Sequence, residues 1–307
     1  MSQNTLLYTG LKADQYYNLA RDLSWQNSKN HEHSDRDGHV LGYICNIKIH
    51  SAVASTISAV IAPNTWKMRN SFRKWHAYRD FMFTEAGVQG SEIGRYGHTI
   101  RPYLDHLMKN ATIAEPVGWD LSTQTQEWTY TQIAAAPGFD AAAVGTEGEA
   151  AVDVYDLNIC GVNQGANTAL GTTYYTAVGM IHSYNQDRME VVTPTIDSQT
   201  IEGHNNPLAL LKQGGSVSGG EVMDIVEDQE LEAPPYDITD NGQSTKVVVS
   251  DFTQVNPGYD GTASVPVVKT IQCFVPAGIF ALTSTADDTA AGVLINVLGI
   301  VRCKDMA

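Results

Sequence analysis

Nine histidines, four cysteines and 34 carboxylates are the groups in this 307-residue chain that could do chemistry. The tightest cluster is His31, His33 and His39, an H-x-H-x5-H array whose imidazoles could face one metal ion. The array lies in a polar, turn-rich stretch, and no carboxylate stands at a clear ligand position, so an exposed segment without a metal is expected. His50 and His182 occupy similar surroundings and read as structural histidines at strand ends. Asp35-Arg36-Asp37-Gly38 is only a fragment of a calcium loop. The chain carries no G-x-x-x-x-G-K-[ST] phosphate loop, and the serines of GGSVSGG are not centred as a nucleophile elbow requires. No cysteine and histidine are placed as nucleophile and base. Cys45, Cys160, Cys273 and Cys303 each sit in an apolar run without a C-x-x-C partner. They are expected as buried free thiols, with two disulfides left open. These residues predict no catalytic site, no metal and no cofactor.

The most distinctive segment is a helix. Met68, Phe72, Trp75, Tyr78 and Met82 recur at spacings of three and four, which predicts one apolar face over Trp66–Ala86. Pro63-Asn64-Thr65 opens it and Gly87 stops it. Its other face carries Lys67, Arg69, Arg73, Lys74 and Arg79. An acidic counterpart exists, because Glu221–Asp240 holds eight carboxylates and no basic residue. Two readings stand. One is a core helix with a solvated basic face. The other is a contact with an acidic neighbour, another subunit or anionic headgroups, in which Trp66, Arg73, Lys74 and Arg79 meet Glu227, Asp228 and Glu230 of a second chain packed head to tail.

The rest of the chain must position these groups, and its composition limits how. The net charge of -15 disfavours direct wrapping of nucleic acid, which needs a basic face. Thirteen of the 19 basic residues lie at or before Lys109, so charge is unevenly shared along the chain. The longest apolar runs, Ala52–Ala62 and Thr289–Val301, are shorter than the roughly 20 residues of a membrane-spanning helix. The start MSQNTLLYTG lacks the basic and apolar regions of a signal peptide.

Residues 1–37 read as an N-terminal arm with a short helix over Ala13–Asp22. Strands are expected at HVLGYICNIKIHS, AVASTISAVIAP, Glu127–Ile133, Val152–Cys160, TTYYTAVGMIHS, MEVVTP, Lys246–Phe252, Val267–Phe274, Gly278–Thr283 and Gly292–Arg302. Short helices are expected at Tyr103–Lys109, Pro207–Lys212 and Glu221–Leu231.

Four anchors recur in one order at offsets between 117 and 132 residues. Tyr43 with Ile49-His50-Ser51 matches Tyr175 with Ile181-His182-Ser183, and Val60-Ile61-Ala62-Pro63 matches Val191-Val192-Thr193-Pro194. Trp119-Asp120-Leu121-Ser122 matches Tyr236-Asp237-Ile238-Thr239, and Pro137-Gly138-Phe139-Asp140 matches Pro257-Gly258-Tyr259-Asp260. The repeat predicts two similar β domains: a first barrel over 38–165 with a helical insert at 66–110, and a second over 166–307.

A duplicated, acidic, motif-free β protein with an N-terminal arm resembles the double jelly-roll major capsid proteins of tailless icosahedral phages with an internal membrane, and among them the finnlakeviruses. The resemblance rests on architecture over roughly Asp37–Lys304 and transfers no individual residue. It implies an all-β fold of two tandem jelly rolls with short inserted helices. It also implies a homotrimer that forms a pseudo-hexagonal capsomer. The implied partners are neighbouring capsomers, internal membrane lipids, and minor capsid or vertex proteins, and the implied location is the virion shell, assembled in the bacterial cytoplasm. Two other classes compete. One is a cell-surface or phage receptor-binding β-sandwich. The other is a bicupin metalloenzyme, whose H-x-H precedes a Glu within each repeat; here Asp37 or Gly38 stands in that place, and the second half has no counterpart.

Overall fold

The structure is a computed structural model. It describes residues 3–88, 90, 93, 97–111, 113–118, 128–135, 153–165, 175–189, 247–259 and 264–306. The described elements in chain order are β1 (Thr5–Leu11), β2 (Asp14–Asn18), α1 (Leu19–Asn27), β3 (Leu41–Ser51), β4 (Ser55–Ile61), α2 (Trp66–Glu85), α3 (His106–Asn110), β5 (Gln132–Ala135), β6 (Asp153–Asn158), β7 (Gln164–Gly165), β8 (Tyr175–Gly179), α4 (Met180–Met189), β9 (Val247–Val255), β10 (Gly258–Tyr259), β11 (Ser264–Val265), β12 (Val267–Pro276), β13 (Ile279–Ser284) and β14 (Asp288–Arg302). The fold is mostly antiparallel sheet with few helices.

Two four-stranded sheets form the main body, in the orders β1-β14-β3-β12 and β2-β13-β4-β9. Each pairing within them is antiparallel. Successive strands of this body alternate between the sheets from β1 to β4 and again from β9 to β14, with β4 and β9 side by side in the second sheet where the two runs meet. Period-two patterning drives this. In β14, Ala291, Val293, Ile295 and Val297 are buried while the residues between them are partly exposed. Tyr8, Tyr17, Ile47, Ile57, Phe280 and Val293 share the core between the sheets. Full burial of each such side chain contributes about 1.5–3 kcal/mol.

The second sheet is covered on its other face as well. Tyr16, Val60, Ile279 and Ala281 pack there against Met68, Phe72, Trp75 and Tyr78 of α2, together with Leu157 of β6 and Ile181 of α4. The helical stripe thus buries as its spacing predicts. Thr65 caps α2 by accepting from the Met68 amide, and Gly87 follows its end at φ 72°. Beside α2, β5, β6, β8 and β7 form a mixed sheet in which β6 and β8 run parallel.

This architecture corrects the expected boundaries. Residues 1–37 are not a free arm, since β1 and β2 are structural strands of the two sheets. The described sandwich is not divided at residue 165: β3 lies between β14 and β12, and β4 between β13 and β9. Strands before residue 62 pair with strands after residue 246, and the chain between them is an insertion. The helix expected over Ala13–Asp22 is a strand followed by α1. Tyr17 faces the core between the sheets and Tyr16 faces the insertion. Because both faces of β2 are covered, its apolar residues do not alternate and imitate a helical cluster. The first repeat anchor also splits. His50 lies on β3, whereas the chain after Tyr175–Gly179 turns into α4 and carries His182 on a helix. The expected MEVVTP strand overlaps the end of α4 at Met189; its remainder and the helices at 207–212 and 221–231 lie outside the described residues.

Two local devices hold the body closed. Segment 113–118 straps the strand edges: the Ala114 amide donates to the Tyr16 carbonyl at 2.7 Å and the Val117 amide to Leu7 at 2.7 Å. The chain passes from β12 in the first sheet to β13 in the second through a tight turn at Ala277 (φ 58°) and Gly278 (φ 67°). At Gly278 the missing Cβ lets the backbone take this left-handed conformation.

Candidate subunit-contact site

The basic face of α2 is mostly used within the chain. Lys74 forms an ion pair with Asp187 of α4, whose side chain is fully buried. The Lys74 ammonium also lies 5.8 Å from the centre of the Tyr184 ring. Trp66 meets the same ring edge-on at 6.3 Å, and Asn70 donates to the Tyr184 hydroxyl at 3.4 Å. Arg79 donates to the Thr99 carbonyl and stacks over Phe83. Arg69 donates to the Asn64 side chain at 3.2 Å. Arg73 is exposed to solvent.

Of the expected contact residues, Trp66 and Lys74 therefore come together on the α2–α4 seam, Arg79 pins a neighbouring loop, and Arg73 faces outward. Glu227, Asp228 and Glu230 lie outside the described residues. The sequence could not reveal that Asp187 is the partner of Lys74, because α4 follows a strand with no helical periodicity to announce it.

The histidine array also resolves into structural roles. His33 is fully buried and its Nδ1 bonds to the Ala277 carbonyl at 2.5 Å. Burial pushes its pKa down to about 4, helped by the charge of Arg101 and opposed by the Ala277 carbonyl. His31 lies half-buried, and burial lowers its pKa too. Asp35 turns the chain toward His39: its carboxylate accepts from the amides of Asp37 and His39, its carbonyl accepts from Gly38, and Arg302 pairs with it at 2.6 Å. The calcium-loop fragment is thus a hairpin turn. His76 of α2 closes it by meeting the Ser34 hydroxyl at 2.9 Å. Burial pushes the His76 pKa down to about 4 as well, against the pull of Asp80. Among the described residues, no group of three or more His, Cys, Asp or Glu side chains gathers as a metal site.

Two buried ionic clusters were not legible in the sequence. Asp22 accepts from the Tyr8 hydroxyl at 2.6 Å and from Arg21 Nε at 2.7 Å, while Arg21 Nη2 donates to the Ala114 carbonyl at 2.6 Å. This ties α1 to β1 and to the strap. Glu32 takes both arms of the Arg101 guanidinium, which lies 4.0 Å over the Trp128 ring. A cleft of about 710 Å³ opens beside this second cluster, lined by Lys29, His31, Asp35, Arg36, Tyr43 and His98 among others. Among the described residues, no helix is long and apolar enough to cross a membrane. No family model, curated protein or solved structure matches the chain.

Proposed function

We propose that this chain is a structural protein of a viral shell, a major capsid protein that works by assembly. The strand order carries the reading. Eight antiparallel strands in the orders β1-β14-β3-β12 and β2-β13-β4-β9 follow the jelly-roll pattern, an architecture used by capsid proteins, lectins and cupins. The interior favours the first of these uses. Where a cupin would hold its metal, Tyr8, Tyr17, Ile47, Phe280 and Val293 fill the space between the sheets.

The finer arrangement is two jelly rolls per chain and three chains per pseudo-hexagonal capsomer. The described sandwich uses strands on both sides of residues 62–246, so this reading assigns the second jelly roll to that insertion instead of to 166–307. In this reading neighbouring capsomers are the main partners, with internal membrane lipids and minor capsid or vertex proteins at the inner surface and corners. The site of action is the virion, assembled in the host bacterial cytoplasm.

Light scattering on the purified protein, with negative-stain images of the same peak, tests the proposal. Three chains of 33.3 kDa would form a particle of about 100 kDa with a hexagonal outline. A 33.3 kDa monomer that stays monomeric as concentration rises overturns it.

A further inference from the structure

Cys45 and Cys273 stand directly opposite each other on β3 and β12. The Ala277 amide donates to the Leu41 carbonyl in the same ladder. Counting back by twos, Val275–Tyr43 and Cys273–Cys45 belong to the class of pairs that exchange both backbone hydrogen bonds. The Cα atoms of such a pair lie about 5.5 Å apart, inside the range of about 4.4–6.8 Å that a disulfide spans. Both side chains enter the core between the sheets, with Cys45 1% and Cys273 7% exposed. The Cys45 thiol donates to the Tyr43 carbonyl at 3.5 Å, so it has to swing across the strand to reach its neighbour. Cys160 and Cys303 belong to the other core cluster, on the far face of the second sheet.

We propose that Cys45 and Cys273 are a redox-responsive pair that closes into a cross-strand disulfide, joining the two ends of the chain across the 62–246 insertion. The oxidant is a small-molecule disulfide such as oxidised glutathione. One cysteine thiolate attacks it and releases one reduced thiol, leaving a mixed disulfide. The second thiolate displaces the other half as a second reduced thiol. The protein gives up two protons and two electrons, and the oxidant takes them.

The fold also sets the rate. Burial pushes the Cys273 thiol up to about 12 and raises Cys45 further, so the closed core holds few thiolates. Access comes through β12. This strand pairs only with β3 among the described residues, and its start is open, with Val268 59% exposed. Local opening of an edge strand is easier than global unfolding. In a hydrogen-bonded pair the Cβ atoms stand farther apart than in the other class, which makes the bond strained and readily reduced. The pair is therefore a reversible staple.

The test incubates the reduced full-length protein with oxidised glutathione in urea below its unfolding transition. Intact mass and a non-reducing peptide map are the readouts. The expected result is loss of two hydrogens, one linked peptide joining Cys45 to Cys273, and a Tm several degrees higher that dithiothreitol returns to its starting value. Cys273→Ala should abolish both link and shift, while Cys160→Ala should keep them. Glutathione adducts without a link, links through Cys160 or Cys303, or an unchanged Tm in the linked protein would overturn the proposal. If Cys273→Ala does not fold, the wild-type peptide map decides alone.

Discussion

Arg101 and Glu32, 69 residues apart in sequence, meet in a two-bonded fork: Nε to Oε2 at 3.1 Å and Nη2 to Oε1 at 2.7 Å. The pair joins the insertion to the segment before β3, and Trp128 covers the guanidinium face. Both side chains are largely buried. Removing one charge strands the other, so Arg101→Ala should destabilise the fold by about 2–4 kcal/mol, and Arg101→Lys should recover only part because a lysine has no planar fork. Urea midpoints of the two variants measure this. Equal stability of Arg101→Ala and wild type would show the fork to be incidental.

Acid should loosen the protein in a defined window. His33 and His76 titrate near 4 in the fold, below the ordinary value of about 6.5. Each is neutral when folded, and the unfolded chain takes up the proton first. Their contribution is complete above about pH 6.5, is lost as pH falls toward 4, and then levels off. The loss is up to about 3 kcal/mol per histidine. Asp288 acts in a lower window. Burial pushes its carboxyl up, but the Ser51 hydroxyl and the amides of Ala290, Ala52 and Ala291 outweigh that and hold it below the usual range. Its contribution is present above the ordinary carboxylate value and fades below it. Tm measured at half-unit steps from pH 7.5 to 4 should fall for wild type and fall less for His76→Gln.

The two lysine and arginine neighbours on α2 should separate fold from assembly. Lys74→Glu opposes the buried Asp187 carboxylate and should cost about 3–5 kcal/mol. Arg73→Glu changes an exposed residue, should leave Tm within about 1 °C, and should lower the oligomer mass if this face meets an acidic neighbour. Light scattering beside thermal melts distinguishes the two effects. An Arg73→Glu protein of unchanged oligomer mass removes this residue from the contact.

The turn between β12 and β13 offers a paired test. A Cβ on Gly278 would lie 2.6 Å from the Tyr43 ring at a positive φ, so Gly278→Ala should destabilise by about 2–3 kcal/mol. Ala277 also holds a positive φ, and Ala277→Gly should stabilise by about 0.5–1 kcal/mol. Opposite signs at adjacent residues in chemical denaturation would confirm the turn.

Deleting residues 1–37 should unfold the protein. The deletion removes β1, β2 and α1 with Tyr8, Tyr17 and Asp22, so two edge strands and a buried ionic cluster are lost together. Circular dichroism should show loss of cooperative melting. A folded, soluble truncated protein would restore the N-terminal arm of the sequence reading.

Local patterning was legible in the sequence wherever one face decides it. Period-two runs placed β3, β12 and β14, and the three-four spacing of Met68, Phe72, Trp75 and Tyr78 placed α2, because burial on a single side repeats with the geometry of the element; short apolar, β-branched runs placed β4, β9 and β13. The pattern failed where both faces are covered, as at Tyr16 and Tyr17. It also failed where a strand runs straight into a helix, as at Gly179–Met180. Tertiary structure alone decided which strands are neighbours. An apolar alternation tells a strand which face to bury but not which edge to join, so β3 could not declare that its partners lie more than 200 residues away in β12 and β14. The same holds for Lys74 with Asp187, Arg101 with Glu32 and Cys45 with Cys273. Each side chain is chemically ordinary along the chain and takes its role only when non-local pairing removes water and sets a partner beside it.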